Sequence, residues 1–237
     1  AKLNTVFLQL IVMVMSFAPI GVFCLIGKFV IADGLDIFQD VLAYVVLLIS
    51  LLIFHALFTY SIFLKFIGGL SPITFFKKIK NVALFAFSTS SSAATIPVTL
   101  KTVNQDLGVN QNVASFVVPV GATINMDGTA IMQGLATVFI AQMSGIDLTL
   151  FQYGQVVLLA VATSIGTAAV PSAGTITLII ILQQFNLPLE AIGIILAVDR
   201  VLDMIRTSVN VTGDAAIACI VAKSENQLDE TIFNSHK

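Results

Sequence analysis

Charge-free stretches, each about as long as a bilayer is thick, divide this sequence. No charged residue lies between Lys2 and Lys28, between Asp40 and Lys65, or between Lys80 and Lys101. Asp127 stands alone between Asp106 and Asp147, and none lies between Asp147 and Glu190. A helix crosses the hydrocarbon core in about 20 residues, so every gap has room for a crossing. Charged residues are 10% of the 237, and hydrophobic ones 57%. A soluble domain usually carries about 25% charged residues. A surface built from this sequence could not be solvated, which excludes a soluble enzyme, a nucleic-acid binder and a disordered chain. The net charge of −2 leaves no basic footprint for a polyanion. Cys24 and Cys219 lie far apart in apolar surroundings and offer no disulfide framework or metal spacing. The expectation is an all-α, multi-pass (polytopic) membrane protein whose partner is lipid.

The loop charges give sidedness. Lys65, Lys77, Lys78 and Lys80 cluster in 65–80, which the positive-inside rule places in the cytoplasm. Asp33, Asp36 and Asp40 outweigh Lys28 in 28–40, which reads as external. Both flanks of 81–100 carry lysine. A segment with both ends on one side enters and returns, and this one is too short for two full spans, so it reads as a re-entrant hairpin. The stretch 148–189 has acidic flanks and no Lys or Arg, and reads as a second hairpin entering from outside. Two opposed re-entrant helical hairpins suggest an inverted repeat. Each carries a run of small residues ending in proline, STSSSAATIP at 88–97 and SIGTAAVP at 164–171. Such runs are tolerated at membrane depth where backbone lines a cavity, although small residues also serve simply to pack helices.

Asp127 sits between apolar segments. A charge at the bilayer centre costs at least about 2.5–3.5 kcal/mol on insertion scales, so it is paired, coordinated or functional. Asn125 and Gly128 beside it suggest an interrupted helix, whose freed carbonyls and carboxylate would suit a hard cation; a loop between short helices is the other reading. In the last apolar segment, Asp199, Arg200, Asp203, Arg206, Thr207, Asn210 and Asp214 fall within about 120° of a helical wheel. The remainder is mostly aliphatic, so the polar stripe turns inward. Asp203 could meet a cationic group and Arg206 a carboxylate, or the two could pair at i,i+3. One arginine cannot neutralise three acids, and an amino-acid zwitterion with an extra carboxylate would complete the set.

These residues, NMDGT at 125–129, the serine-rich run, VPSAG at 170–174, and DRVLDMIRT at 199–207 with NVTGD at 210–214, resemble the dicarboxylate/amino acid:cation symporters. This is the family of the glutamate and aspartate transporters, and the resemblance spans essentially the whole chain. It implies the glutamate-transporter fold with inverted repeats and an interrupted transmembrane helix. Residues 1–38 would be a scaffold-type helix, with APIGVF at 18–23, and 39–224 a transport domain. Within that domain, 39–68 would be a helix, 72–103 a hairpin, 111–142 the broken helix, 151–186 the second hairpin and 188–224 the last helix. The residues 225–237 would be a polar cytoplasmic tail that frays, and the chain would be the C-terminal part of a longer protein in the cell membrane.

The resemblance also implies roles. Asp203 would hold a solute amino group and Arg206 its side-chain carboxylate, with Thr207, Asn210, Ser90 and Ser92 holding the rest and Val170, Gly174 and Thr129 closing over it. One Na+ site would use Asp214, Gly121, Asn125 and Asn210. A second would use Thr123, Ser164, Ile165 and Thr167 beside Met126. A third would use Asn125 and Asp127. The implied function is Na+-coupled symport of an acidic amino acid by alternating access in a homotrimer, without an organic cofactor, enzymatic activity or nucleic-acid partner. The chain departs from the family by placing Ser90 and Met204 where members often have an arginine, and by carrying Arg200 instead. An acid at 203 favours an amino acid and Arg206 favours aspartate or glutamate, the alternative being a proton-coupled C4-dicarboxylate or neutral amino-acid symporter of the same fold. A channel would show conductance without saturable exchange. An intramembrane protease would need paired catalytic acids or Ser with His, and neither His55 nor His236 adjoins a nucleophile signature. His55 is expected to pack or to sit at the interface.

Overall fold

The computed structural model describes residues 37–235, together with Met13, Ile20, Phe23, Cys24, Gly27 and Ile31. The rest of the 1–38 segment and residues 236–237 lie outside the described residues. Every regular element among the described residues is helical, and the only extended pairing there is a single bridge between Val109 and Leu228. Helix α1 begins at Ile37–Phe54 and continues through two π-helical turns, His55–Thr59 and Phe63–Ile67, joined by Tyr60–Ile62. It is long and apolar enough to cross a membrane. Tyr44, Leu48 and Leu52 form its buried edge, whereas Leu42, Val46, Leu47, Ile53, Phe54 and Phe58 are exposed. An outward apolar face of that size belongs against lipid or an apolar partner.

Helix α2 (Pro72–Thr89) starts where Ser71 accepts the Thr74 N–H and proline occupies the first turn. Its stripe of Phe75, Ile79, Val82 and Ala86 is buried. Ser90 ends it in the left-handed region at φ 49°, and Ser91 caps α3 (Ser92–Gln105) by accepting from Ala94 N. The turn is therefore Ser90 and Ser91 alone. The longer run expected to form the tip is helical on both sides, and Pro97 lies inside α3, where only the Ala93 carbonyl loses an N–H.

Asn110 caps α4 (Gln111–Ile124). The chain then leaves helical geometry at Asn125 (ψ 71°) and Met126 (ψ 49°) before α5 (Asp127–Met143). The helical path is thus interrupted at Asn125 and Met126, directly before Asp127. A capping box of Thr149 and Gln152 opens α6 (Leu150–Ile165), and an irregular loop, 166–172, leads to α7 (Ala173–Gln184). Helix α8 (Ile192–Ser224) is about 50 Å long. It packs on α1, α2, α3, α4, α5 and α7 and is buried on nearly every side between Leu202 and Cys219. The other helices therefore surround its polar stripe.

Within the described residues, 225–235, the tail is docked and not frayed. Residues 230–234 form α9 (Glu230–Asn234), and its Phe233 is wholly buried. Lys78 Nζ donates to the Asp106, Ile232 and Phe233 carbonyls at 2.8, 2.6 and 2.9 Å, a cation on two helix C-termini. Asp229 N donates to Gly108 O at 2.8 Å, and Asn110 N to Gln227 O at 3.0 Å. The polar composition of 225–237 pointed to water, but long-range backbone bonds and one phenylalanine dock it. Asp229 caps α9, and the bonds from the Thr231 hydroxyl and Ile232 N–H hold its carboxyl below the usual carboxylate range. This cap is complete above the ordinary carboxylate pKa and is lost as the pH falls through its depressed value. Lys78→Met is expected to raise amide exchange over 229–235 about tenfold or more, read by hydrogen–deuterium exchange.

Candidate solute and cation site

Asp199, Asp203, Arg206, Thr207, Asn210 and Asp214 are all buried. Arg200 is exposed. It lay at the edge of the wheel, and the packing leaves that edge outside the buried stripe. Arg206 Nη2 donates to Asp203 Oδ1 at 2.5 Å, and Nη1 lies 3.5 Å from Asp199 Oδ1. The i,i+3 pairing is therefore made. The other Asp203 oxygen accepts the Ser172 N–H at 3.0 Å, from the loop 166–172. Ser172 holds φ 59° to present that N–H, a conformation that non-glycine residues seldom adopt.

The turn at Ser90 and Ser91 meets the same loop. Ser91 Oγ donates to Ala169 O at 2.8 Å, and Ala93 N does so at 3.4 Å. Between the two tips and α8 lies a narrow recess, partly open to the outside. Ser90, Ser92, Thr129, Val170, Gly174, Asp203, Arg206, Thr207 and Asn210 all line it, with Met126 and Thr167. The first nine of these are the residues singled out for a solute. Close approach here requires glycine. A Cβ on Gly174 would lie 2.8 Å from Thr129 Cγ2, and one on Gly128 would lie 2.9 Å from Arg206 Cγ. Gly128 N donates to Asn210 Oδ1 at 2.8 Å, which fixes the first turn of α5 against α8. Ser90 Oγ and Arg206 Nη1 are buried without a hydrogen-bond partner among the described residues.

The helix break forms a second polar centre. Asn125 Nδ2 donates to Asp214 Oδ1 at 3.0 Å and to Asn210 O at 3.4 Å. Gly121 lies so close that a Cβ would come within 2.6 Å of Asp214 Oδ1. Gly121, Asn125, Asn210 and Asp214 therefore converge, and the last turn of α4 adds carbonyls freed by its ending. Met126 and Thr167 share the recess wall, and Ser164 is buried. Thr123 and Ile165 are exposed and do not line the recess. Asp127 Oδ2 meets His55 Nε2 and the Tyr60 hydroxyl, each at 3.1 Å. His55 also packs edge-on against the Tyr60 ring, with centroids 5.0 Å apart. A π-helix bonds i to i+5, so it carries His55 and Tyr60 to one side of α1.

Other site residues carried no sequence signal beyond a polar residue in an apolar run. Gln133 donates to Gly174 O at 3.0 Å and to Thr177 Oγ1 at 2.7 Å, and accepts from Thr163 Oγ1 at 2.8 Å. It joins α5 to both arms of the α6–α7 pair. Gly213 leaves room for Tyr60 and Asn125, since a Cβ there would lie 2.5 Å from the Tyr60 hydroxyl.

Residues 1–224 match the sodium:dicarboxylate symporter family. The chain is 41% identical to excitatory amino acid transporter 2 of Homo sapiens over 238 residues, 99% of this chain and 41% of that protein. An excitatory amino acid transporter of Caenorhabditis elegans is 41% identical over 92% of this chain and 44% of its own length. Excitatory amino acid transporter 3 of Mus musculus is 38% identical over 96% of this chain and 44% of its own. The chain spans less than half the length of these relatives, each of which is named a transporter.

Proposed function

Because the chain belongs to the sodium:dicarboxylate symporter family, we propose that it is the solute- and cation-binding part of a Na+-coupled symporter for an acidic amino acid, aspartate or glutamate. The observation that carries this reading is the recess itself, where Arg206 and Asp203 face one small space between two helix-pair tips. Arg206 offers a planar fork to a carboxylate, and Asp203 offers an acceptor to an ammonium group. The two stay paired in the resting site, and a zwitterion with a second carboxylate supplies both counter-charges when it separates them. A solute lacking either charge would leave one of them buried and unpaired.

Sodium, as co-transported substrate, would take the oxygen-rich centres at the helix break: Asp214 with Asn125, Asn210 and Gly121; Asp127 with Asn125; and carbonyls of Thr123, Ser164, Ile165 and Thr167 beside Met126. Each cation lowers the cost of ordering the 166–172 loop that closes on the solute, so coupling is a shared binding free energy. In the same reading, the α2–α3 and α6–α7 pairs are re-entrant hairpins entering from opposite faces as an inverted repeat. The C-terminus is cytoplasmic, the assembly is a homotrimer, and the unit of 39–224 carries its load across the membrane.

The test is uptake by the full-length protein reconstituted in liposomes. Accumulation of labelled aspartate or glutamate under an inward Na+ gradient, absent with choline or with a proton gradient alone, is expected. Sodium-independent uptake, or preference for succinate, would overturn the reading. Gly121→Ala is expected to push the Asp214 carboxylate aside and to remove most of the Na+-dependent rise in Tm, read by a thermal shift titration.

A further inference from the structure

Arg206 has two carboxylate neighbours among the described residues, and only one faces the recess. Asp203 lines it, whereas Asp199 does not. Asp199 Oδ1 accepts the Thr175 hydroxyl at 2.6 Å, from the first turn of α7, and lies 3.5 Å from Arg206 Nη1. That ion pair is not a hydrogen bond. Asp199 Oδ2 and Arg206 Nη1 are both buried without a hydrogen-bond partner among the described residues. An unmade bond at a buried charge is costly. Meanwhile both oxygens of Asp203 are taken, one by Arg206 and the other by Ser172 N–H. An incoming ammonium group therefore has to displace the guanidinium from Asp203. The guanidinium then needs another carboxylate at its opposite edge, and Asp199 stands there with an oxygen to spare.

We infer that Asp199 is a positioning residue, which takes over Arg206 when Asp203 turns to the solute's amino group. This rests on the transport reading above. Two carboxylates against one guanidinium keep the triad anionic, so Arg206 is shared and not captured. With Asp199 neutral, Arg206 would close on Asp203 alone, and recognition of the amino group would suffer before recognition of the carboxylate. Thr175 competes for the same Asp199 oxygen and links that competition to the α7 arm.

The test compares Asp199→Asn, Asp199→Glu and Thr175→Val in the full-length protein, with aspartate and with succinate, which lacks the amine. Asp199→Asn can still accept the Thr175 hydroxyl, so it removes charge and not shape. It is expected to raise the aspartate KM about tenfold, to leave Vmax within about twofold, and to erode the preference for aspartate over succinate. Asp199→Glu is expected to restore part of that preference. Thr175→Val frees the carboxylate for Arg206 and is expected to move the preference towards aspartate. An unchanged KM and preference in Asp199→Asn, or a shift of the same sign in Asp199→Asn and Thr175→Val, as loosened packing would give, overturns the inference. Absence of sodium-driven aspartate uptake in the wild type overturns the transport reading instead.

Discussion

Arg206→Ala is expected to abolish uptake of acidic amino acids, by at least about 10²-fold in Vmax/KM. The guanidinium is buried, ion-paired to Asp203 and adjacent to Asp199, and among the described residues it is the only cation lining the recess. Removing one partner of a buried ion pair typically costs about 3–5 kcal/mol, because the charge left behind has no compensation. Here the loss counts twice. The solute carboxylate has nothing to bind, and two carboxylates repel it. Neutral amino acids escape both penalties, since Asp203 keeps an oxygen for the ammonium group. Alanine or serine should therefore compete for the mutant site where aspartate no longer does. A competition assay in reconstituted vesicles reads both outcomes. Unimpaired aspartate uptake in Arg206→Ala would remove the basis for reading the recess as an acidic amino-acid site.

The helical class was legible because bilayer-length gaps between charges leave few alternatives. The polar stripe was legible because seven polar residues share one face of α8 in an otherwise aliphatic segment. The break at Asn125 was legible because an acid in an apolar run needs local rearrangement. What periodicity could not supply was partners. A wheel gives angles and not neighbours, so it placed Arg200 at the edge of the stripe, whereas packing leaves it exposed. It also left open whether Asp203 and Arg206 face each other or a guest.

The π-helical turn at His55 had no signal either. No glycine or proline marks it, and the register shift is made by tertiary demand, because His55 and Tyr60 both reach Asp127. The C-terminal segment was misread for a related reason. Composition reports average solvation, but docking depends on Phe233 and on carbonyls that Lys78 satisfies from about 150 residues away. Local pattern thus specified which residues are polar where polarity is expensive. Which of them meet was decided by contacts remote in sequence, and the recess is made almost wholly of such contacts.

Asp214→Asn is the change expected to act most strongly on the cation and least directly on the solute. Asp214 is buried, receives one side-chain hydrogen bond, from Asn125, and abuts Gly121 without room for a methyl group. It does not line the recess. An asparagine there fits the space but removes the negative charge. It also sets its own amide beside the Asn125 amide, where two donors would compete unless one flips. The apparent Na+ constant for uptake is expected to rise at least tenfold, equivalent to about 1.4 kcal/mol or more. Because coupling is reciprocal, solute affinity at fixed Na+ should fall, and most of it should return when Na+ is raised. That recovery distinguishes a cation ligand from a structural acid, whose loss no concentration of Na+ would repair. Titrating Na+ at several aspartate concentrations measures it. An unchanged Na+ constant would mean that the carboxylate against Gly121 serves only to join α4 to α8.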